Sequence, residues 1–351
     1  MKPIAGEWVK VRSKEEILKT LDANGRLENL PFMPEMFQYC GQEFRVYKRA
    51  HKTCDTVSGP SSGYVARRLP NSVHLEHRCD GKAHGGCQAA CLLFWKEAWL
   101  EPTEKRATVE RFGSNCQGDQ AAAAGSGCSE ADVWKATQAA CKSSGGTRYV
   151  CQATELPAFT APLKWWDARQ YIEDYHSGNI SIVPMLRTFL YAVVYYGTLA
   201  NRRTLGRPAR WIYDVGRRVV GARPMRRARG KIPGGTLTPT SNLELKAGDL
   251  VRVKPFEDIL KTIDGQNLNR GLSFDAEMVA FCGNTFRVRT RVERFIDEST
   301  GRMKGLKTPA VILEGASCRA CYSDHRFFCP RAIFAWWREI WLEKVVDASE
   351  R

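Results

Sequence analysis

At 351 residues and 39.6 kDa the chain is long enough for two or three domains, each with a core of its own, so neither metals nor disulfides are needed merely to hold it together. Hydrophobic residues at 43% and charged residues at 26% exclude global disorder. The net charge of +15 is unusual, and much of it is one segment: Arg202 to Lys231 holds ten arginines and one lysine against Asp214 alone, a local charge of +10.

The opening MKPIAGEWVK carries no apolar run suited to export, which implies a cytoplasmic protein whose thirteen cysteines stay reduced. Free thiols or metal ligands are then expected in place of disulfides. Alternation at Trp8, Val9 and Val11 predicts a short half-buried strand. Ser13 with Glu16 three residues on has the form of a capping box and predicts a helix of about two turns. FQYCGQEFRVYKR then alternates on both sides of a Cys-Gly pair, the pattern of a β-hairpin whose glycine supplies the positive φ. CQAACLLFWKEAWLE spaces its aromatics three and four apart, which predicts a closing helix with one apolar face.

The whole order recurs near the other end. Shifting the chain by 242 positions lays GEWVKVRSKEEILKTLD, from Gly6, on GDLVRVKPFEDILKTID, from Gly248. The same shift carries Glu35, Cys40 and Gly41 onto Glu277, Cys282 and Gly283, and Cys79, Cys87, Trp95 and Trp99 onto Cys321, Cys329, Trp337 and Trp341. A register held over such a length marks an internal duplication. Pro255 suits the first helical position of the second copy. The GDLVRV strand resembles the start of an SH3-like or KOW-type barrel, a resemblance of about ten residues per copy that implies a small β-barrel and little about function.

The expected fold class is therefore α+β: two homologous β-barrel-like modules, each closed by a Cys-rich loop and a C-terminal helix, flanking a mostly helical middle. The boundaries are 1–103 for the first module, 104–127 for a Gly/Ala/Ser-rich linker, 128–232 for the helical basic middle, 233–245 for a second linker and 246–347 for the second module. Helical patterning in the middle centres on Trp134 and on Trp165, Trp166, Tyr171 and Tyr175.

Both copies keep Cys-x7-Cys. The first adds Cys91, placed one helical turn beyond Cys87, with Cys54, His77 and His84 in reach. The second adds Cys318 to make Cys318-x2-Cys321-x7-Cys329, with His325 nearby. Paired thiolates at such spacings suit zinc, and four of them would equally suit an iron–sulfur cluster. Cys40 and Cys282 are expected to pack beside the hairpin turn, and Cys116, Cys128, Cys141 and Cys151 show no short knuckle.

The basic segment offers Arg202, Arg203, Arg207, Arg210, Arg217, Arg218, Arg226, Arg227 and Arg229 to an anionic partner: nucleic acid, an anionic membrane surface or an acidic protein. ISIVPMLRTFLYAVVYYG precedes it and is broken by Pro184 and Arg187, too short an apolar run to span a bilayer. No Walker loop, GxSxG, HExxH or dinucleotide fingerprint occurs. The expected function is a metal-stabilised binding or scaffold protein, the alternative a thiolate-metal enzyme with its site in the first module.

Overall fold

The computed structural model describes residues 2–58, 65–103, 127–140, 146–200, 208, 211–212, 215, 228–322 and 325–345. The chain packs as two compact units. Unit 1 comprises Met1–Asn179 with Arg294–Gly305 and Cys329–Arg331, and unit 2 comprises Ile180–Glu293, Leu306–Phe328 and Ala332–Arg351.

Unit 1 opens with β1 (Trp8–Val11), whose inward Val9 and Val11 are buried, and α1 (Lys14–Thr20). Ser13 starts α1 as expected: its Oγ accepts from the Glu16 N–H at 3.2 Å, and the Ser13 N–H donates to Glu16 Oε2 at 2.9 Å. The short hairpin β2 (Arg26–Leu27) and β3 (Leu30–Pro31) leads into a 3-10 helix, Pro34–Tyr39. The expected first hairpin strand is thus replaced by helix, which Pro34 enters with its φ already set. Gly41, at φ 75°, then turns the chain into β4 (Glu43–Arg45), which pairs with β1.

Two further three-stranded sheets follow. One orders β5 (Lys48–Arg49), β8 (Ser72–His74) and β9 (Trp95–Lys96), and the other β13 (Ala161–Leu163), β7 (Ala66–Arg68) and β6 (Lys52–Cys54). β10 (Leu100–Pro102) completes the β10-β1-β4 sheet. The segment 128–179 contributes α2 (Glu130–Lys135), the hairpin β11 (Gln138–Ala140) and β12 (Thr147–Tyr149), α3 (Leu156–Phe159) and α4 (Arg169–His176).

Unit 2 begins with α5 (Ile182–Ala200) and rebuilds the first copy's plan: β14 (Leu250–Val253), α6 (Phe256–Leu260), β15 (Leu268–Asn269), β16 (Leu272–Ser273), a 3-10 helix at Met278–Phe281, then β17 (Thr285–Ile296), β18 (Met303–Ser317), β19 (Phe334–Trp337) and β20 (Leu342–Lys344). Pro255 precedes α6 as its N-cap, one residue earlier than expected. Strand register repeats the duplication residue for residue. Trp8 opposes Arg45 and Val11 opposes Leu100, while Leu250 opposes Arg287 and Val253 opposes Leu342. The indole N–H of Trp99 donates to Thr20 Oγ1 at 3.0 Å, and that of Trp341 to Thr262 Oγ1 at 2.9 Å.

The β-barrel-like modules and the mostly helical middle are not what forms. Among the described residues the sheets have two to five strands and none closes into a barrel, and the middle combines α2–α5 with the β11–β12 hairpin and the strand β13. The closing helices are also absent. Trp95–Lys96 is strand, Glu97–Trp99 is 3-10 helix and Leu100–Pro102 is strand, with the same sequence of states at Phe334–Trp337, Glu339–Trp341 and Leu342–Lys344. A one-turn kink between strands returns Trp95 and Trp99 to one core, so a spacing of four is satisfied without a helix. The uninterrupted Leu92-Leu93-Phe94-Trp95 run, at most 3% exposed, is the pattern of a segment buried on both faces.

Candidate metal centre in unit 1

A thiol, an imidazole and a carboxylate meet beneath the 3-10 helix Pro34–Tyr39. Glu35 is buried on that helix, and its Oε1 accepts from the Cys79 thiol at 2.9 Å and lies 3.3 Å from His84 Nδ1. One potential ligand atom from each of Glu35, Cys79 and His84 lies within 4.8 Å of the other two, and among the described residues no other set of three or more converges so closely.

Local backbone requirements hold His84 there. It ends a 3-10 turn, Lys82–His84, set between Gly81 at φ 72° and Gly85 at φ 62°. A Cβ on Gly81 would lie 2.0 Å from the Cys87 carbonyl oxygen, so that position needs glycine for space as well as for φ, and Gly85 needs it for φ. The His84 Nε2 sits 3.1 Å from the Val150 carbonyl oxygen. A carbonyl only accepts, so Nε2 carries a proton, and the ring turns its Nδ1 toward Glu35. Glu35 Oε2 and His84 Nδ1 are both buried and without a hydrogen-bond partner.

Electrostatics sharpen the conflict. Burial disfavours the Glu35 charge, but the His84 ring beside it and the bond from Cys79 outweigh this and keep the carboxyl below its ordinary range. Burial first, and the Glu35 charge second, push the Cys79 thiol well above its own. A carboxylate, a thiol and an imidazole nitrogen thus meet in one dry place, a set of donor types that could hold a metal ion.

Three more sulfurs stand beside the trio. Cys79, Cys87, Cys91, Cys151 and His84 line one cavity of about 30 Å³, with Arg331 at its wall. That volume suits a single water-sized guest. Cys87 Sγ accepts from the Ile296 N–H at 3.3 Å, and the Cys91 carbonyl accepts from the Cys79 N–H at 2.8 Å. Burial raises the Cys151 thiol to about 11 and moves the Cys91 thiol in the same direction. Because the segment after Cys87 is not helical, Cys91 reaches this cavity by chain reversal into the Arg78–Leu92 bridge and not from one helix face.

The other expected ligands are elsewhere. Cys54 is buried in β6, where its N–H donates to Cys329 Sγ at 3.1 Å, so Cys329 belongs to unit 1 while Cys318, Cys321 and His325 belong to unit 2. His325 stacks on Tyr196 with ring centroids 4.5 Å apart, and Cys321 Sγ contacts the Arg319 carbonyl at 3.5 Å. His77 stacks on Tyr39 at 3.7 Å. Cys40 packs against the unit 1 core, Cys282 is buried in that of unit 2, and Cys128 joins the first core. Cys116 and Cys141 lie outside the described residues, as do Arg202, Arg203, Arg207, Arg210, Arg217, Arg218, Arg226 and Arg227. Arg229 is described and exposed.

Glu35 and Cys151 are the members that spacing alone did not single out. For Glu35 a signal existed: an acidic residue repeated in both copies inside an otherwise apolar stretch. No family model, curated protein or solved structure matches the chain.

Proposed function

We propose that the chain is a metal-stabilised binding protein, cytoplasmic and peripheral to a membrane, that clasps one zinc ion in unit 1 and meets an anionic bilayer through its basic middle. Zinc accepts sulfur, nitrogen and carboxylate oxygen at about 2.0–2.3 Å, the donor types that Cys79, His84 and Glu35 present. The observation that carries this reading is the His84 ring: its Nε2–H is bonded to a backbone carbonyl, the usual outer partner of a metal-bound histidine, and its Nδ1 faces a carboxylate with nothing between. Cys91, Cys87 and Cys151 line the adjoining space and supply the remaining thiolate, or, with Cys79, a four-sulfur set for an iron–sulfur cluster.

The partner of the thiol disfavours the enzyme alternative in its nucleophile form. Cys79 bonds to Glu35 and not to His84, and an adjacent anion makes its thiolate harder to form. Elemental analysis of anaerobically purified protein tests the centre: one zinc per chain, lost in Cys79→Ser, is expected. Metal-free wild-type protein would end the proposal, and a brown protein absorbing near 400 nm would replace zinc by iron and sulfur.

Among anionic partners, α5 favours a membrane. Met185, Thr188, Tyr191 and Ala192 face inward, and Ile182, Val183, Leu186, Leu190 and Val193, 50–70% exposed, share the opposite face. No helix among the described residues is long and apolar enough to cross a bilayer. An apolar stripe followed by dense arginine suits the interface. Flotation with phosphatidylserine vesicles, lost on neutralising Arg226, Arg227 and Arg229, is the expected result. Retention on nucleic acid with no flotation would overturn the membrane assignment.

A further inference from the structure

The duplication preserves one pair of positions, a buried cation and an exposed neighbour, while replacing the neighbour's carboxylate by a second cation. In the first copy Lys96, 2% exposed, sits 2.5 Å from the Glu28 carboxylate. The shift of 242 places Arg338 and Arg270 at these two positions. The backbone agrees: Glu28 has φ 50° and Arg270 φ 47°, each at the turn of the equivalent hairpin β2–β3 or β15–β16. A second ion pair in the same place survives unchanged in kind, Arg49 with Glu97 and Arg291 with Glu339. The four positions are therefore electrically balanced in the first copy and carry two excess positive charges in the second.

Arg338 is 3% exposed, and every acceptor it meets is a backbone carbonyl: Asn269 at 3.3 Å, Pro309 at 3.2 Å, Arg270 at 3.1 Å and Thr308. Four of its five N–H groups thus reach carbonyls, and no carboxylate balances its charge. These residues line a cavity of about 340 Å³, within the usual size of a small-molecule site. The walls bring Arg270, Arg291, Lys307 and Arg338 against Glu339 alone, and add the hydroxyls of Thr240, Ser241 and Thr308. Asn269 Oδ1 is buried there without a partner.

We infer that this cavity in unit 2 is a binding site for a small polyanion, a phosphate ester or a polycarboxylate carrying at least two negative charges. The cavity lies wholly in unit 2, so the inference stands apart from the metal centre. The ligand supplies the charge that Glu28 supplies to Lys96. Arg270 and Lys307 are exposed at the mouth and meet the anion, and Arg338 holds the local potential positive from behind. Guanidinium groups and hydroxyls together suit phosphoryl or carboxylate oxygens.

Titration calorimetry of the full chain with pyrophosphate and with citrate, each against sodium chloride of equal ionic strength, tests the site. Tighter binding of pyrophosphate assigns a phosphate ester, and tighter binding of citrate a polycarboxylate. Arg270→Glu restores the first copy's ion pair, so it is expected to weaken binding at least tenfold while raising the melting temperature of the ligand-free protein. Lys307→Gln, at an exposed position, should weaken binding several-fold with no change in melting temperature. Absence of binding at millimolar concentrations in the wild type, or unchanged affinity in both variants, would overturn the inference.

Discussion

Glu35→Gln separates a metal centre from a hydrogen-bonded cluster that merely fills space. The amide keeps the shape of the carboxylate and removes its charge. In metal-free protein two opposing terms nearly cancel. The bond from Cys79 to an ionised acceptor is worth about 1.5–3 kcal/mol, whereas the buried carboxylate, with Oε2 unpartnered, pays a desolvation cost that the amide escapes. A net loss of about 1–2 kcal/mol is expected. Loaded protein behaves differently, because a ligand present at a thousand times its dissociation constant stabilises the folded state by about 4 kcal/mol. For a unit of this size that corresponds to about 8–16 °C in melting temperature. Scanning calorimetry with and without a chelator should therefore show a large shift in the wild type and almost none in Glu35→Gln, with zinc content falling in parallel. An equal chelator shift in both proteins would remove Glu35 from the site; a large penalty in metal-free Glu35→Gln with no chelator shift in the wild type would show a proton between Glu35 and His84 where zinc is placed here.

Two further outcomes follow from buried charge in unit 1. Burial holds His74, whose Nδ1 lies 2.8 Å from the Leu93 carbonyl, neutral with a pKa lowered to about 3. The unfolded chain takes up this proton below about pH 6.5 while the folded chain does not, so stability falls as pH drops through that window, by about 2 kcal/mol at pH 5. Urea titrations across that range should give a slope shallower by one proton in His74→Asn, and parallel slopes would refute it. Lys52 Nζ lies 2.5 Å from Asp174 Oδ2, with both residues at most 2% exposed, and this pair ties β6 to α4. Asp174→Asn removes the carboxylate from beside a buried ammonium and should cost about 3–5 kcal/mol, most of it recovered when Lys52→Met is added; a single-variant loss below about 1 kcal/mol in urea denaturation would count against the pair.

What could be read from the sequence was local or repeated. Ser13 with Glu16 caps α1 through bonds between neighbours in the chain, and the 242-position shift reappears as strand register because matched residues meet matched partners. Periodicity failed where two conformations meet the same requirement. Trp95 and Trp99 needed to return to one core, and a strand with a single 3-10 turn does this as well as a helix. The donor set was half legible. Cys79, His84, Cys87 and Cys91 lie close in sequence, whereas Glu35 and Cys151 arrive through a 3-10 helix and through the chain following β12. Long-range convergence leaves no spacing to recognise.

The two copies also show what a shared scaffold does and does not transmit. Strand register, the Trp–Thr bonds and the arginine–glutamate pair hold across the duplication, and these are the groups that fix the backbone. The polar groups facing the remaining space have diverged in opposite senses. In the first copy Glu35 meets Cys79 and His84, while its counterpart Glu277 accepts from the Tyr322 backbone N–H and the position of His84 is taken by Arg326. In the second copy Glu28 gives way to Arg270 and the surplus is positive. Identical packing demands can thus frame clustered acidic and thiol groups in one copy and clustered basic groups in the other, because the core settles where the walls stand and only a few side chains settle their sign. Chemistry must accordingly be argued separately for each copy, from charges that remain unbalanced after the shared interactions are accounted for.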